Sequence, residues 1–129
     1  MVPAFGKIPP MNKIIRWIPA IVMMTIIFIF SSIPGKEMPR FGVLDLSVKK
    51  GGHVTVYALL AIANAYALNW DKKRFWLAWL IALLYAITDE FHQSFVPGRN
   101  AWWVDVALDS TAAALALWVL PRLKKMSKK

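Results

Sequence analysis

The 129-residue chain has room for one domain, taken as residues 1–129, and its 58% hydrophobic residues, with seven Trp and seven Phe, exceed what one water-soluble core of this size can hide. The absence of cysteine excludes disulfides and thiolate metal sites. The net charge of +9 is spread in short basic groups between apolar runs, which suits anionic lipid headgroups and speaks against a nucleic-acid partner.

Four apolar segments follow in chain order, each near the ~20 residues that a bilayer crossing requires. The first runs from about 14 to 33, with Trp17 at its start and Pro19 tolerable in the first turn. No small-residue cleavage site follows it, so it reads as a retained helix. The second runs from about 53 to 69, behind Gly51 and Gly52, which read as a flexible pair. The third runs from about 74 to 93, and its continuous apolar part stops at Ile87. The fourth runs from about 101 to 120, with Trp102 and Trp103 as interfacial aromatics and with Pro121 and a basic tail as its stop. The expected fold is an all-α integral membrane four-helix bundle.

Lysine and arginine set the expected orientation. With the amino terminus inside, eleven of them fall on the inner side and Lys36, Arg40, Lys49, Lys50 and Arg99 on the outer, which puts both termini in the cytoplasm. The polar ends of the spans then meet at the outer face.

Those ends hold the unusual residues. Asp89, Glu90, Asp105 and Asp109 are four of the seven acids of a basic chain, and a carboxylate in the bilayer centre costs ~2.5–3.5 kcal/mol on insertion scales. At 3.6 residues per turn, His53, Tyr57 and Asn64 share one face of the second span. Tyr85, Asp89, His92 and Gln93 share one face of the third, with Glu90 at its edge, and Asp105 and Asp109 share one of the fourth. Lipid offers no hydrogen-bond partner, so such stripes face one another or a wet cavity. His53, Tyr57, Asp89, Glu90 and Asp105 are the candidates for acid–base chemistry. His92, Gln93, Arg99 and Asp109 are the candidates for substrate binding, Arg99 through a fork that grips phosphate or carboxylate. If three or more of His53, Asp89, Glu90, His92 and Asp105 converge, they could also ligate a divalent metal. Simpler roles exist for each: interhelical hydrogen bonds for His53 and Tyr57, an Asp105–Arg99 ion pair, and headgroup contacts for Lys49 and Lys50. Asp-Glu-Phe-His lacks the spacing of a zinc-protease helix.

KKGGHVTVYALLA (49–61), TDEFHQSFVPGR (88–99) and WVDVALD (103–109) together resemble the VanZ-like membrane proteins. The shared pattern is a His and Tyr four apart, an Asp-Glu-x-x-Gln-x-x-x-Pro-Gly-Arg block, and an Asp opening the last helix. Ser31 and Ser32 fit the family's usual Ser after the first span. The resemblance singles out His53, Tyr57, Asp89, Glu90, Gln93, Arg99 and Asp105. Two positions depart from it: Asp109 stands where the family usually has Asn, and Ala112 where a Gly is usual.

The resemblance implies a multi-pass protein of the bacterial cell membrane linked to glycopeptide resistance of the teicoplanin type. Expected partners are membrane lipids and a lipid-linked cell-wall precursor or lipoglycopeptide. Two roles compete. One is an enzyme acting on a lipid-linked or phosphate-bearing envelope molecule; the other is a non-catalytic protein that binds and masks such molecules at the outer leaflet. A conduit lined by Tyr57 and Asn64 is disfavoured by the apolar inner halves of the spans.

Overall fold

In the computed structural model, which describes residues 12–34, 36, 42–99 and 102–127, every regular element is helical. Lys7, Arg40, Ala101, Lys128 and Lys129, which entered the expected spans and charge balance, lie outside the described residues. The Asn12 side chain accepts the Ile14 amide and caps a short helix, α1 (Lys13–Arg16). A turn at Trp17 separates it from α2 (Ile18–Ser31), where Pro19 occupies the first turn and its missing N–H is harmless. The first apolar segment is therefore two helices, ending at Ser31 rather than Ile33.

Helix α3 (Asp45–Ala67) begins eight residues before the expected His53. Gly51 and Gly52 are not a hinge in front of it but lie within it, where a Cβ at either position would meet nothing within 4 Å. Asp45, Ser47, Lys49 and Lys50 interrupt Leu46 and Val48 in the first turns of α3, which hid its start from a reading based on apolarity. The helix ends on Leu68, and Asn69 (φ 65°) and Trp70 (φ 57°) turn left-handed to reverse the chain. Asp71 then accepts the Lys73 amide at 3.0 Å and opens a turn (Lys72–Arg74) into α4 (Phe75–Gln93). Its bounds are close to the expected ones.

The last helix, α5 (Trp103–Ser127), runs through Pro121, which does not stop it. A proline within a helix removes one amide donor and can kink the axis, yet its fixed φ is compatible with the turn that follows.

Helix α3 packs against α2, α4 and α5, and α4 packs against α2 and α5 as well. The contact faces are small: Ala61, Ala65, Ala78, Ala82, Ala86 and Ala113 are fully buried. Ala78, Ala82 and Ala86 recur every four residues and form a smooth stripe along α4, which lets neighbouring backbones approach. Large apolar side chains point the other way, with Ile21, Phe28, Phe30, Leu84 and Phe91 more than half exposed.

Polar ties cross between helices at several levels. Arg16 donates to the Tyr66 carbonyl at 2.9 Å with its guanidinium 4.7 Å from that ring's centre. Asn64 donates to the Ala78 carbonyl at 3.1 Å, and Trp79 to the Ser110 carbonyl at 3.0 Å. Among the described residues one helical stretch, Trp103–Leu123, is long and apolar enough to cross a membrane, and Ile18–Ser31 is a shorter apolar helix. The first turns of α3 and the last turns of α4 are diluted by Asp45, Lys49 and Lys50 and by Asp89, Glu90 and His92.

Candidate functional site

The period of 3.6 puts Ser31, Tyr57 and Asp89 on the inward faces of three different helices, and they meet. Asp89, one turn before the end of α4, is 4% exposed. Its carboxylate accepts the Ser31 hydroxyl from α2, the Tyr57 hydroxyl from α3 at 2.9 Å, and the Gln93 amide from its own helix at 3.3 Å. Gln93 Nε2 also lies 3.3 Å from Ser31 Oγ and closes the ring. Three donors on one carboxylate stabilise its charge where water cannot.

The second cluster joins α3 to α5. His53 Nδ1 lies 3.4 Å from Asp109 Oδ2, and Lys50, nearly one turn earlier, pairs with Asp105. Lys50 also lies 5.0 Å from the centre of the Trp102 ring. The registers match, since Lys50 and His53 are three apart on α3 while Asp105 and Asp109 are four apart on α5. Asp105 is thus held by Lys50, not by the expected Arg99. Glu90, 1% exposed, accepts the Trp102 backbone amide at 2.8 Å through Oε2 and anchors the start of α5. Its Oε1, like Oδ1 of Asp109, has no hydrogen-bond partner among the described residues.

Arg99 reaches across to α2. Its Nε donates to the Ile33 carbonyl at 2.9 Å and its Nη2 to the Phe30 carbonyl, so it closes the carboxyl end of that helix. Burial lowers the pKa of its guanidinium, opposed by Asp89 and Glu90, and the group stays charged. His92 stands apart from the acids: Nε2 lies 3.0 Å from Ser32 Oγ, and its ring stacks on Phe28 at 4.6 Å.

A cavity of about 410 Å³ opens between the carboxyl half of α2 and the amino half of α3. Ile26, Ile27, Phe30, Ile33, Val48 and Val56 form its walls. Ser31, Lys49, His53 and Arg99 supply its polar groups, and Gly52 its thinnest wall. Of the nine candidate residues, therefore, only His53 and Arg99 face the cavity. Tyr57, Asp89, Glu90, Gln93 and Asp109 are buried away from its lining, and Asp105 and His92 do not line it either. Among the described residues no three His or acid side chains come together as a metal-holding group, because each acid is drawn to a different partner.

Sequence reasoning left Ser31 and Lys50 outside the candidate residues. A signal for Lys50 was present, because it lies three and seven residues before His53 and Tyr57 on one helical face; starting the helix at His53 concealed it. Ser31 carried its place after an apolar run and the family's usual Ser near that position.

A family model described as VanZ/LLP1 matches residues 16–124, a span that takes in every residue of both clusters. No curated protein and no solved structure matches the chain.

Proposed function

The chain belongs to the VanZ/LLP1 family, and from that premise we propose that it is a multi-pass protein of the bacterial cell membrane linked to glycopeptide resistance. Its inside-out build supports the membrane reading: alanines fill the helix contacts while Ile, Phe and Leu cover the outside, as suits lipid rather than water. Helices α2 to α5 would cross the bilayer with both termini inside. The absence of native cysteine gives a direct test. In intact cells an impermeant maleimide should label Pro97→Cys, beyond the end of α4, and not Lys73→Cys before its start; the reverse pattern would invert the topology.

The site reading rests on one observation, the His53–Asp109 pair at the edge of a cavity that also carries Arg99. Asp109 holds His53 through Nδ1, which leaves Nε2 to take or give a proton, as in other base–orienter pairs. Asp89 fixes Ser31 and Tyr57 behind it. This suits an enzyme acting on a lipid-linked or phosphate-bearing envelope molecule. The engagement of Asp89, Glu90 and Asp105 in bonds between helices favours the second reading, a non-catalytic binder of the same class of molecule.

Resistance to a teicoplanin-type drug reports on both readings. His53→Gln and Arg99→Lys should each lose resistance at wild-type membrane abundance, while Thr55→Ala, whose hydroxyl bonds only within α3, should keep it. Wild-type resistance in both site variants would rule out the site. Asp109→Ala, which leaves His53 with no orienting side chain, separates the readings: an enzyme should lose at least about tenfold in turnover with its ligand affinity kept, whereas a binder loses no more than affinity.

A further inference from the structure

The order of residues along the α2–α3 cavity gives it two ends. Residues of α2 and α3 that share it run in opposite directions, since the carboxyl half of α2 faces the amino half of α3. Ile33, Lys49 and Arg99 therefore lie toward one end, Ile26 and Val56 toward the other, and Ser31 and His53 between them. From Ile26 to Ser31 the helix rises roughly 8 Å and the chain runs on to Ile33, so the cavity is a slot rather than a pit. One end presents Lys49 and Arg99, with the His53 imidazole one turn further along α3; the other is walled by aliphatic side chains. Among the described residues, Asp89 and Asp109 hold Ser31 and His53 of the slot's lining. Its volume of about 410 Å³ falls within the range of ~300–1,000 Å³ for small-molecule sites.

From this polarity we propose that the slot takes one hydrocarbon chain of an anionic lipid, with the lipid's phosphate monoester against Lys49, His53 and Arg99. This deepens the site reading given above and rests on it for the membrane setting. The apolar walls exclude a wholly polar ligand, and the cationic end selects phosphate over a zwitterionic headgroup. His53 Nε2 then lies beside the phosphate, where a base or a hydrogen-bond donor would act.

Gly52 supplies the test. It lines the slot, a Cβ there meets nothing within 4 Å, and its neighbour Gly51 is equally open but does not line the slot. Gly52→Leu should fill the slot without disturbing the fold, and it replaces a poor helix former by a good one. Native mass spectrometry in nonionic detergent would titrate the full chain with dioleoyl phosphatidic acid, dioleoyl phosphatidylcholine and inorganic phosphate. Phosphatidic acid should bind at least about tenfold more tightly than phosphatidylcholine, and Gly52→Leu should lower that affinity at least about tenfold while Gly51→Leu leaves it unchanged. Lys49→Gln, which leaves the cavity walls in place, should weaken phosphatidic acid about fivefold and leave phosphatidylcholine as it was. Equal binding of the two lipids, wild-type binding by Gly52→Leu, or competition by inorganic phosphate alone would each overturn the proposal. Loss of resistance in His53→Gln alongside absent lipid selectivity would sink the slot and leave the site reading standing. Lipid selectivity with full resistance in His53→Gln would do the opposite.

Discussion

Asp89→Ala is expected to be the most damaging single substitution in the chain, lowering stability by ~3–5 kcal/mol in detergent and abolishing resistance. The carboxylate is the acceptor common to Ser31, Tyr57 and Gln93, which come from three helices, and alanine would take that acceptor from all three buried donors. Each orphaned donor costs ~1–3 kcal/mol, and the three do not add fully because Gln93 and Ser31 can still bond each other. Asp89→Asn should cost less, roughly 1–3 kcal/mol, because one acceptor oxygen survives while the new NH₂ group faces a donor. Tyr57→Phe removes one donor and leaves the carboxylate two others, so its loss should be smaller still. Thermal unfolding followed by circular dichroism would rank the three. A melting temperature for Asp89→Ala equal to that of wild type would show that the network contributes nothing to the fold.

The second large effect is expected at Ala82. It is the middle of the stripe Ala78–Ala82–Ala86, fully buried where α4 packs into the molecule. Ala82→Leu forces three extra carbons between backbones held close by alanine, at a cost near ~3 kcal/mol, the top of the usual range for overpacking. Leu84→Ala, two residues along on the exposed face of the same helix, should change stability by less than about 0.5 kcal/mol. The contrast inverts the usual expectation that deleting a leucine harms more than adding one. Equal tolerance of both changes would mean that α4 is not closely packed.

The helical character of the chain was legible because apolar and polar residues recur with the right period. The stripe His53–Tyr57–Asn64 faces the interior as spacing required, and α4 begins and ends where a basic turn and a polar turn bracket an apolar run. The start of α3 was not legible. A paired glycine reads as a break, but in this helix tertiary contacts with α5 through Lys50 and His53 outweigh the weak propensity of Gly51 and Gly52. Pro121 misled in the same way, since a proline forbids one hydrogen bond and not a helix. Pairing was the least accessible feature. Periodicity says which face a carboxylate is on, but not whether Lys50 or Arg99 will reach Asp105, because that depends on how far α3 extends and where the turn after α4 returns. Arg99 does lie within electrostatic reach of Asp89 and Glu90, but its hydrogen bonds go to the carbonyls at the end of α2.

The order in which these bonds can form follows the chain itself. Ser31 and Tyr57 are synthesised before Asp89, Lys50 before Asp105, and His53 before Asp109. Each acid emerging from the ribosome thus finds a donor or cation already made and waiting in an earlier helix. Only Glu90 must wait, and the amide it accepts, that of Trp102, comes twelve residues later as the last helix begins. Synthesis in the amino-to-carboxyl direction therefore never leaves more than one of these four carboxylates awaiting its partner.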